Sequence, residues 1–245
     1  MAQLLTGRKP ILEALKAGRP LERILLLRGT HGGTIEDIRK LADQRGVPVV
    51  ASEKQHFRDF APEALTQGVV AYAQDRALVD LDQILDGVRQ SGATGFLLIL
   101  DQIEDPQNLG ALIRTAECAG AQGVIVPRHH SAPVSAAAVK ASAGATEHIP
   151  IAEVANIVNA VEQLKNEGFW IIGLASEGEK LYTELDYSVP TAVVVGNEGQ
   201  GLRRLVREHC DHLIRIPLFG KVQSLNASVA AALSMFEVVR QREKL

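Results

Sequence analysis

Residues 95–120 read GFLLILDQIEDPQNLGALIRTAECAG, and their reading decides the fold. GFLLIL is apolar throughout, so a strand there is buried on both faces. Pro106 fixes a turn, and apolar residues at helical spacing over 109–119 predict a helix that starts near Asn108. A doubly buried strand running straight into a helix is the repeating unit of a parallel α/β sheet. The unit recurs downstream. Strands are predicted in GVIVP, HIPI, FWIIGL, TAVVVG and HLIRIP, and further helices over 134–143, 153–167, 201–209 and 226–240. Ligands of such sheets bind beyond the carboxyl ends of the strands, so the loops there carry the candidate site.

Upstream lies a shorter α/β pattern. A helix is predicted over 8–17 with Pro10 in its first turn, then a strand at RILLL, a helix over 34–46, the strand VPVVA, a short helix near 53–60 and the strand GVVAYAQ. Residues 77–93 are charged, partly helical and end in Ser-Gly-Ala, and read as a connection. The expected organisation is a small unit over 1–76, a linker over 77–93 and a larger unit over 94–245.

Composition narrows the class. The 245 residues are 46% hydrophobic and 22% charged, ordinary for a soluble protein with a sizeable core, while 4% aromatic content speaks against many stacking platforms. The longest apolar runs are too short to cross a bilayer and the N-terminus has no signal layout, so a cytoplasmic protein is expected. Cys118 and Cys210 form no disulfide framework and read as buried free thiols. His209, Cys210 and His212 straddle a helix end without a second ligand cluster, so no metal is expected. Net charge is −3, yet residues 1–76 hold 12 Lys and Arg against 9 acids, which makes the front the part that a polyanion meets first.

Three loops hold the polar candidates. After the first strand, Asn108 can cap its helix or hold a ligand, with Arg114 six residues on. After TAVVV, GNEGQGL puts three glycines where a backbone approaches a ligand closely, and Glu198 among them is either a helix-start acid or a contact. The spacing is G-x-x-G-x-G, and the next strand ends without an acid to hold a ribose, which speaks against a nicotinamide oxidoreductase. After HLIRI, Ser224 and Asn226 either cap the last helix or line a site, and Val229, Leu233, Phe236 and Val239 are expected as its buried stripe. Arg203, Arg204 and Arg207 read as a solvated face open to phosphate, and RHH at 128–130 could also face a polyanion.

DPQNLGALIRTAECAG, VVVGNEGQGL and IRIPLFGKVQSLNASVA, in that order, resemble the signature of the SpoU-type RNA ribose 2′-O-methyltransferases of the SPOUT superfamily. HHSAPVSAAAVKASAGATEHIPI is similar to the same family. GRKPILEAL, ILLL and HFRDF…QGVVAYA resemble its small substrate-binding domain of L30e/L7Ae-like fold. The resemblance implies a deep trefoil knot in the C-terminal unit, a homodimer, and S-adenosylmethionine as methyl donor. It implies cofactor contacts from Gly196, Ile216, Leu218 and Leu225, largely through backbone, and an active site of Asn108, Arg114, Glu198, Ser224 and Asn226. The nearest branch looks like the enzymes that methylate a guanosine ribose in bacterial large-subunit (23S) rRNA. A tRNA methyltransferase and a non-catalytic RNA-binding protein are the rival expectations.

Overall fold

The computed structural model describes residues 2–58, 66–74, 78–222 and 224–243. The small unit is a four-stranded sheet in the order β1-β4-β2-β3. Its strands are β1 (Ala2–Thr6), β2 (Leu21–Leu27), β3 (Val49–Ser52) and β4 (Val69–Gln74). β4 pairs antiparallel with β1 and β2, whereas β2 and β3 run parallel. Helices α1 (Arg8–Ala17) and α2 (Gly33–Gln44) cover it, burying Ile11, Ala14 and Leu15 against Ile35, Ile38, Leu5 and Val69. α1 ends on Gly18, whose φ of 78° lets its N–H reach back to Leu15. α3 spans Lys54–Arg58; the last two residues of the expected short helix lie outside the described residues. β1 is a strand that the sequence pattern did not reveal, because its five residues acquire a partner only from β4, some seventy positions away.

The large unit is a seven-stranded sheet in the order β7-β6-β5-β10-β8-β11-β9, with every pair parallel. Its strands are β5 (Phe96–Asp101), β6 (Gly123–Pro127), β7 (Ile151–Val154), β8 (Trp170–Leu174), β9 (Lys180–Leu181), β10 (Thr191–Gly196) and β11 (His212–Arg215). The apolar strands are indeed covered on both sides. Leu98 and Leu100 of β5 pack into a layer with α5 (Pro106–Cys118) and α9 (Ala227–Arg242). Leu97 and Ile99 face the opposite layer, with α4 (Leu81–Ser91), α7 (Ile157–Asn166) and α8 (Arg204–Glu208). α6 (Ala136–Ala141) packs on α5 so tightly that a Cβ on Gly110 would lie 2.4 Å from the Cβ of Ala141.

Several expectations need correction. The segment read as a linker carries α4, whose Leu81, Ile84, Leu85 and Val88 belong to the core of the large sheet. α4 starts with Asp80 and Gln83 in a reciprocal capping box. α5 starts at Pro106, two residues before Asn108, because Asp105 accepts the amides of Gln107 and Asn108. α8 starts at Arg204 because Gly196–Leu202 folds as a turn of its own. Cys118 is exposed and only Cys210 is largely covered.

The clearest reversal concerns α9. Val229, Leu233 and Phe236, expected inside, are 49%, 40% and 48% exposed. Its buried face is Ala227, Ala231, Ser234, Met235, Glu237 and Val238. α9 lies against α5 and β10, and small side chains permit that close approach. Its far end is clasped by Arg242, which donates to the carbonyls of Thr94, Gly95, Tyr187 and Val189.

Candidate active site

β5 and β10 lie side by side at the centre of the sheet, with Gly196 in register with Asp101. The loops that follow them therefore meet. Asp101 is fully buried, and its carboxylate accepts from the backbone N–H of Arg203 at 2.8 Å and from the Arg203 guanidinium at 2.7 and 2.6 Å. Asn197 adds a second tie, its Nδ2 donating to the Gln102 carbonyl at 3.1 Å. Its Oδ1 accepts the amides of Gly199 and Gln200, and its backbone exchanges two hydrogen bonds with Gly201. The glycines are thus used for a turn folded back on itself. A Cβ on Gly196 would sit 2.3 Å from the carbonyl carbon of Gly201, and Gly201 has φ 68°.

That turn presents Glu198. Its carboxylate accepts from Asn108 Nδ2 at 2.9 Å, from Asn226 Nδ2, and from the backbone N–H of Ala227 at 3.3 Å. Asn226 Nδ2 also donates to Asn108 Oδ1 at 3.0 Å. Glu198 is therefore not an acid favouring its own short helix; it sits at the N-terminus of the sixteen-residue α9, where a negative charge is stabilised. Asn226 is a helix cap and also part of this cluster. Its Oδ1 caps α9 by accepting the amides of Ser228 and Val229, while its Nδ2 joins the cluster.

Beside the cluster opens a cleft of about 950 Å³, within the range of small-molecule sites. Gly196, Glu198, Ile216, Leu218, Ser224 and Leu225 all line it. Its two arginines are engaged elsewhere, Arg207 with Glu177 at 2.7 Å and Arg215 with the carbonyls of Gly178 and Glu179. Arg114 stands apart. It is exposed on α5, and among the described residues it has no hydrogen-bond or ion-pair partner. The structure thus unites Asn108, Glu198 and Asn226, puts Ser224 in the cleft wall, and leaves Arg114 facing solvent.

The sequence reading missed Asp101 and Arg203. An acid closing an all-apolar strand was the available signal, since a buried carboxylate needs a cation. Arg203 thus remains at the surface but spends its guanidinium on a buried acid, while Arg204 pairs with Glu208. Arg128 pairs with Glu153 at 3.0 Å, and His129 and His130 are exposed. His209 accompanies Glu162 and the Leu205 carbonyl, and no group of ligand side chains suited to a metal occurs among the described residues.

The model of the SpoU rRNA methylase family matches residues 95–236, which hold every residue of this site. The chain belongs to the SpoU methylase family. A second model, for RNA 2′-O ribose methyltransferase substrate binding, matches residues 4–77 of this SpoU protein. A protein of Staphylococcus saprophyticus assigned to the TrmH family of tRNA/rRNA methyltransferases is 40% identical over 98% of this chain and 96% of its own length. Among solved structures, the SpoU methyltransferase AviRb of Streptomyces viridochromogenes in complex with AdoMet superposes with TM-score 0.82 at 28% identity, over 99% of this chain and 91% of that one. The AdoMet-bound rRNA methyltransferase of Sinorhizobium meliloti gives TM-score 0.78 at 26% identity, over 98% and 87%. The parallel sheet with an added N-terminal α/β unit is therefore the family's architecture over nearly the whole chain.

Proposed function

We propose that this protein transfers a methyl group from S-adenosyl-L-methionine to the ribose 2′-hydroxyl of a guanosine in 23S rRNA. The observation that carries the reading is the Asn108–Glu198–Asn226 cluster at the edge of the cleft formed by the turn after β10 and the segment after β11. The cleft suits this cofactor. Peptide groups and the apolar Ile216, Leu218 and Leu225 offer surface to an adenosine, and Glu198 offers negative charge to a sulfonium. With Arg207 and Arg215 engaged, the walls are poorly arranged for a phosphate-bearing nucleotide. When bound, the cofactor supplies an electrophilic methyl group.

This chain's own residues do the rest. The backbone of Gly196, Ile216, Leu218 and Leu225 holds the cofactor, and Ser224 and Asn226 orient the ribose. Asn108 and Glu198 fix Asn226, since all three share one set of hydrogen bonds. Arg114, with no protein partner among the described residues, has its guanidinium fork available for the RNA phosphate beside the target and for charge developing on the 2′-oxygen. A guanidinium stays protonated, so the hydroxyl proton leaves by another route.

The basic small unit is the part that grips RNA. The exposed Val229, Leu233 and Phe236, at i, i+4 and i+7 of α9, are covered in this reading by a second copy of the chain, giving a homodimer. β11 lies beyond β8 from β10, yet α9, which follows β11 in the chain, packs on α5 and β10, an arrangement compatible with the trefoil knot of the family. No helix among the described residues is long and apolar enough to cross a membrane, and we place the protein in the cytoplasm.

Mapping 2′-O-methylated nucleotides in total RNA, with and without the gene, tests the proposal. Loss of one methylated guanosine in 23S rRNA is expected. Loss of a tRNA mark instead would reassign the substrate, and an unchanged map would reject the reading.

A further inference from the structure

Arg19 of the small unit and Glu147 of the large unit form an ion pair of 2.8 Å with side chains only 7% and 4% exposed. Every other described ion pair leaves at least one partner about a third or more exposed. The Arg19 guanidinium has four of its five N–H groups engaged there. It donates to Glu147 Oε1 at 2.8 Å, to Gln3 Oε1 at 2.6 Å and to the Gln74 carbonyl at 2.6 and 3.2 Å. Gln3 lies on β1 and Gln74 ends β4, so one side chain ties two strands of the small sheet to the large unit.

The seam around this pair is interlocked. Val139 of α6 is counted into the core of the small unit. Gly144, with φ 94°, passes so near α1 that a Cβ there would lie 2.6 Å from the Cβ of Glu13. His148 Nε2 sits 2.9 Å from Glu13 Oε2, and Gln3 Nε2 donates to the Val134 carbonyl at 3.4 Å. The segment that supplies these contacts, residues 134–148, is the one whose α6 abuts α5 at Gly110. α5 carries Asn108 and Arg114. A continuous packed path therefore joins the small sheet to the helix of the active site.

We infer that the buried Arg19–Glu147 pair is a specificity-determining positioning device: it fixes the RNA-gripping unit at one distance and angle from Asn108 and Arg114, and so selects which ribose reaches the site. The inference rests on the methyl-transfer reading above. Its physical basis is that a buried ion pair contributes little net stability, whereas separating its members strands a charge. Docking in any other register would leave both Arg19 and Glu147 unpaired. The pair thus penalises wrong placements more than it strengthens the right one, and misplacement of reacting groups by about 1 Å can lower a rate on the order of 100-fold.

The test uses the full chain with Arg19→Glu, Glu147→Arg, the double swap, and the milder Glu147→Gln, which keeps the shape and removes the charge. Four quantities are measured: solution scattering for the separation of the units, calorimetric affinity for S-adenosylmethionine, turnover and KM on 23S rRNA transcript, and the map of methylated positions. For Arg19→Glu, cofactor affinity should be unchanged, the scattering profile should broaden, and turnover at the native nucleotide should fall about tenfold or more. The double swap re-forms the ion pair but not the bonds to the Gln74 carbonyl, so it should restore part of both profile and turnover. Glu147→Gln should fold normally and show a smaller loss of the same kind. Native turnover and position in Arg19→Glu or in Glu147→Gln would overturn the inference, and so would a loss that the swap does not rescue or one that extends to cofactor binding. A wild-type protein that methylates no RNA would reject the underlying reading instead, before any variant is compared.

Discussion

Asn226 Nδ2 lies 3.0 Å from Asn108 Oδ1, joining two residues 118 positions apart, while Asn226 Oδ1 caps the helix that follows. One amide thus both caps a helix and joins the Asn108–Glu198 cluster, and the two sets of bonds separate by atom. Asn226→Asp keeps a capping oxygen and removes both Nδ2 donors, setting a second carboxylate against Glu198. The cap should survive, since Asp and Asn cap about equally well, but the like charge beside Glu198 should lower the melting temperature, while turnover on rRNA falls by orders of magnitude. Asn226→Ala should lose turnover as well and also about 0.5–2 kcal/mol of stability. Thermal melts and single-turnover rates on the two variants check this; an active Asn226→Asp protein would reduce Asn226 to a cap.

Arg114→Ala should be nearly silent in a thermal melt. The side chain is exposed and unpaired among the described residues, and such positions change stability by roughly 0.5 kcal/mol or less. Methyl transfer should nevertheless be almost abolished, with cofactor affinity retained. Parallel calorimetry and methyl-incorporation assays distinguish this from a loss of the cleft.

Asp101→Ala should behave in the opposite way. The Arg203 guanidinium and amide lose their acceptor, and the turn that presents Glu198 loses its tie to β5. Breaking a buried pair costs about 3–5 kcal/mol, and the value here should fall at the low end because Arg203 is 42% exposed and can turn to water. Chemical denaturation measures the loss.

Phe236→Asp and Leu233→Asp should yield monomers near 26.4 kDa in sedimentation, whereas the wild type is expected to sediment as a dimer. Both positions are exposed on α9, so neither change buries a charge within the subunit. A wild-type protein that is monomeric at micromolar concentration would contradict the assignment of this stripe.

The two thiols should differ in reactivity. Burial pushes the Cys210 thiol up to about 12, so it stays protonated from pH 7 to 9 and should resist alkylation until the protein unfolds. Cys118 is exposed, and partial burial followed by the Glu117 carboxylate raises its thiol as well. Labelling of Cys118 should be slow at pH 7 and quicken with pH, and peptide mapping after alkylation should find Cys118 modified first.

The sequence determined the parts that depend on neighbours along the chain. Apolar runs such as FLLIL and AVVV could only be strands covered on both faces, and the three loop motifs marked the edge of the sheet where chemistry gathers. What it could not determine was which faces meet. Strand order placed β10 beside β5, and that alone put Asp101 opposite Gly196 and made the surface residue Arg203 the partner of a buried acid. On α9, periodicity correctly found an apolar stripe but set it inside, because hydrophobicity says that a surface will be covered without saying by what. The close approach of α5 and β10 demanded small side chains, so Ala227 and Ala231 went inward and Val229, Leu233 and Phe236 were left outside. A helix's own sequence fixes the pattern on its surface; the distance and shape of what it packs against decide which stripe of that pattern is buried.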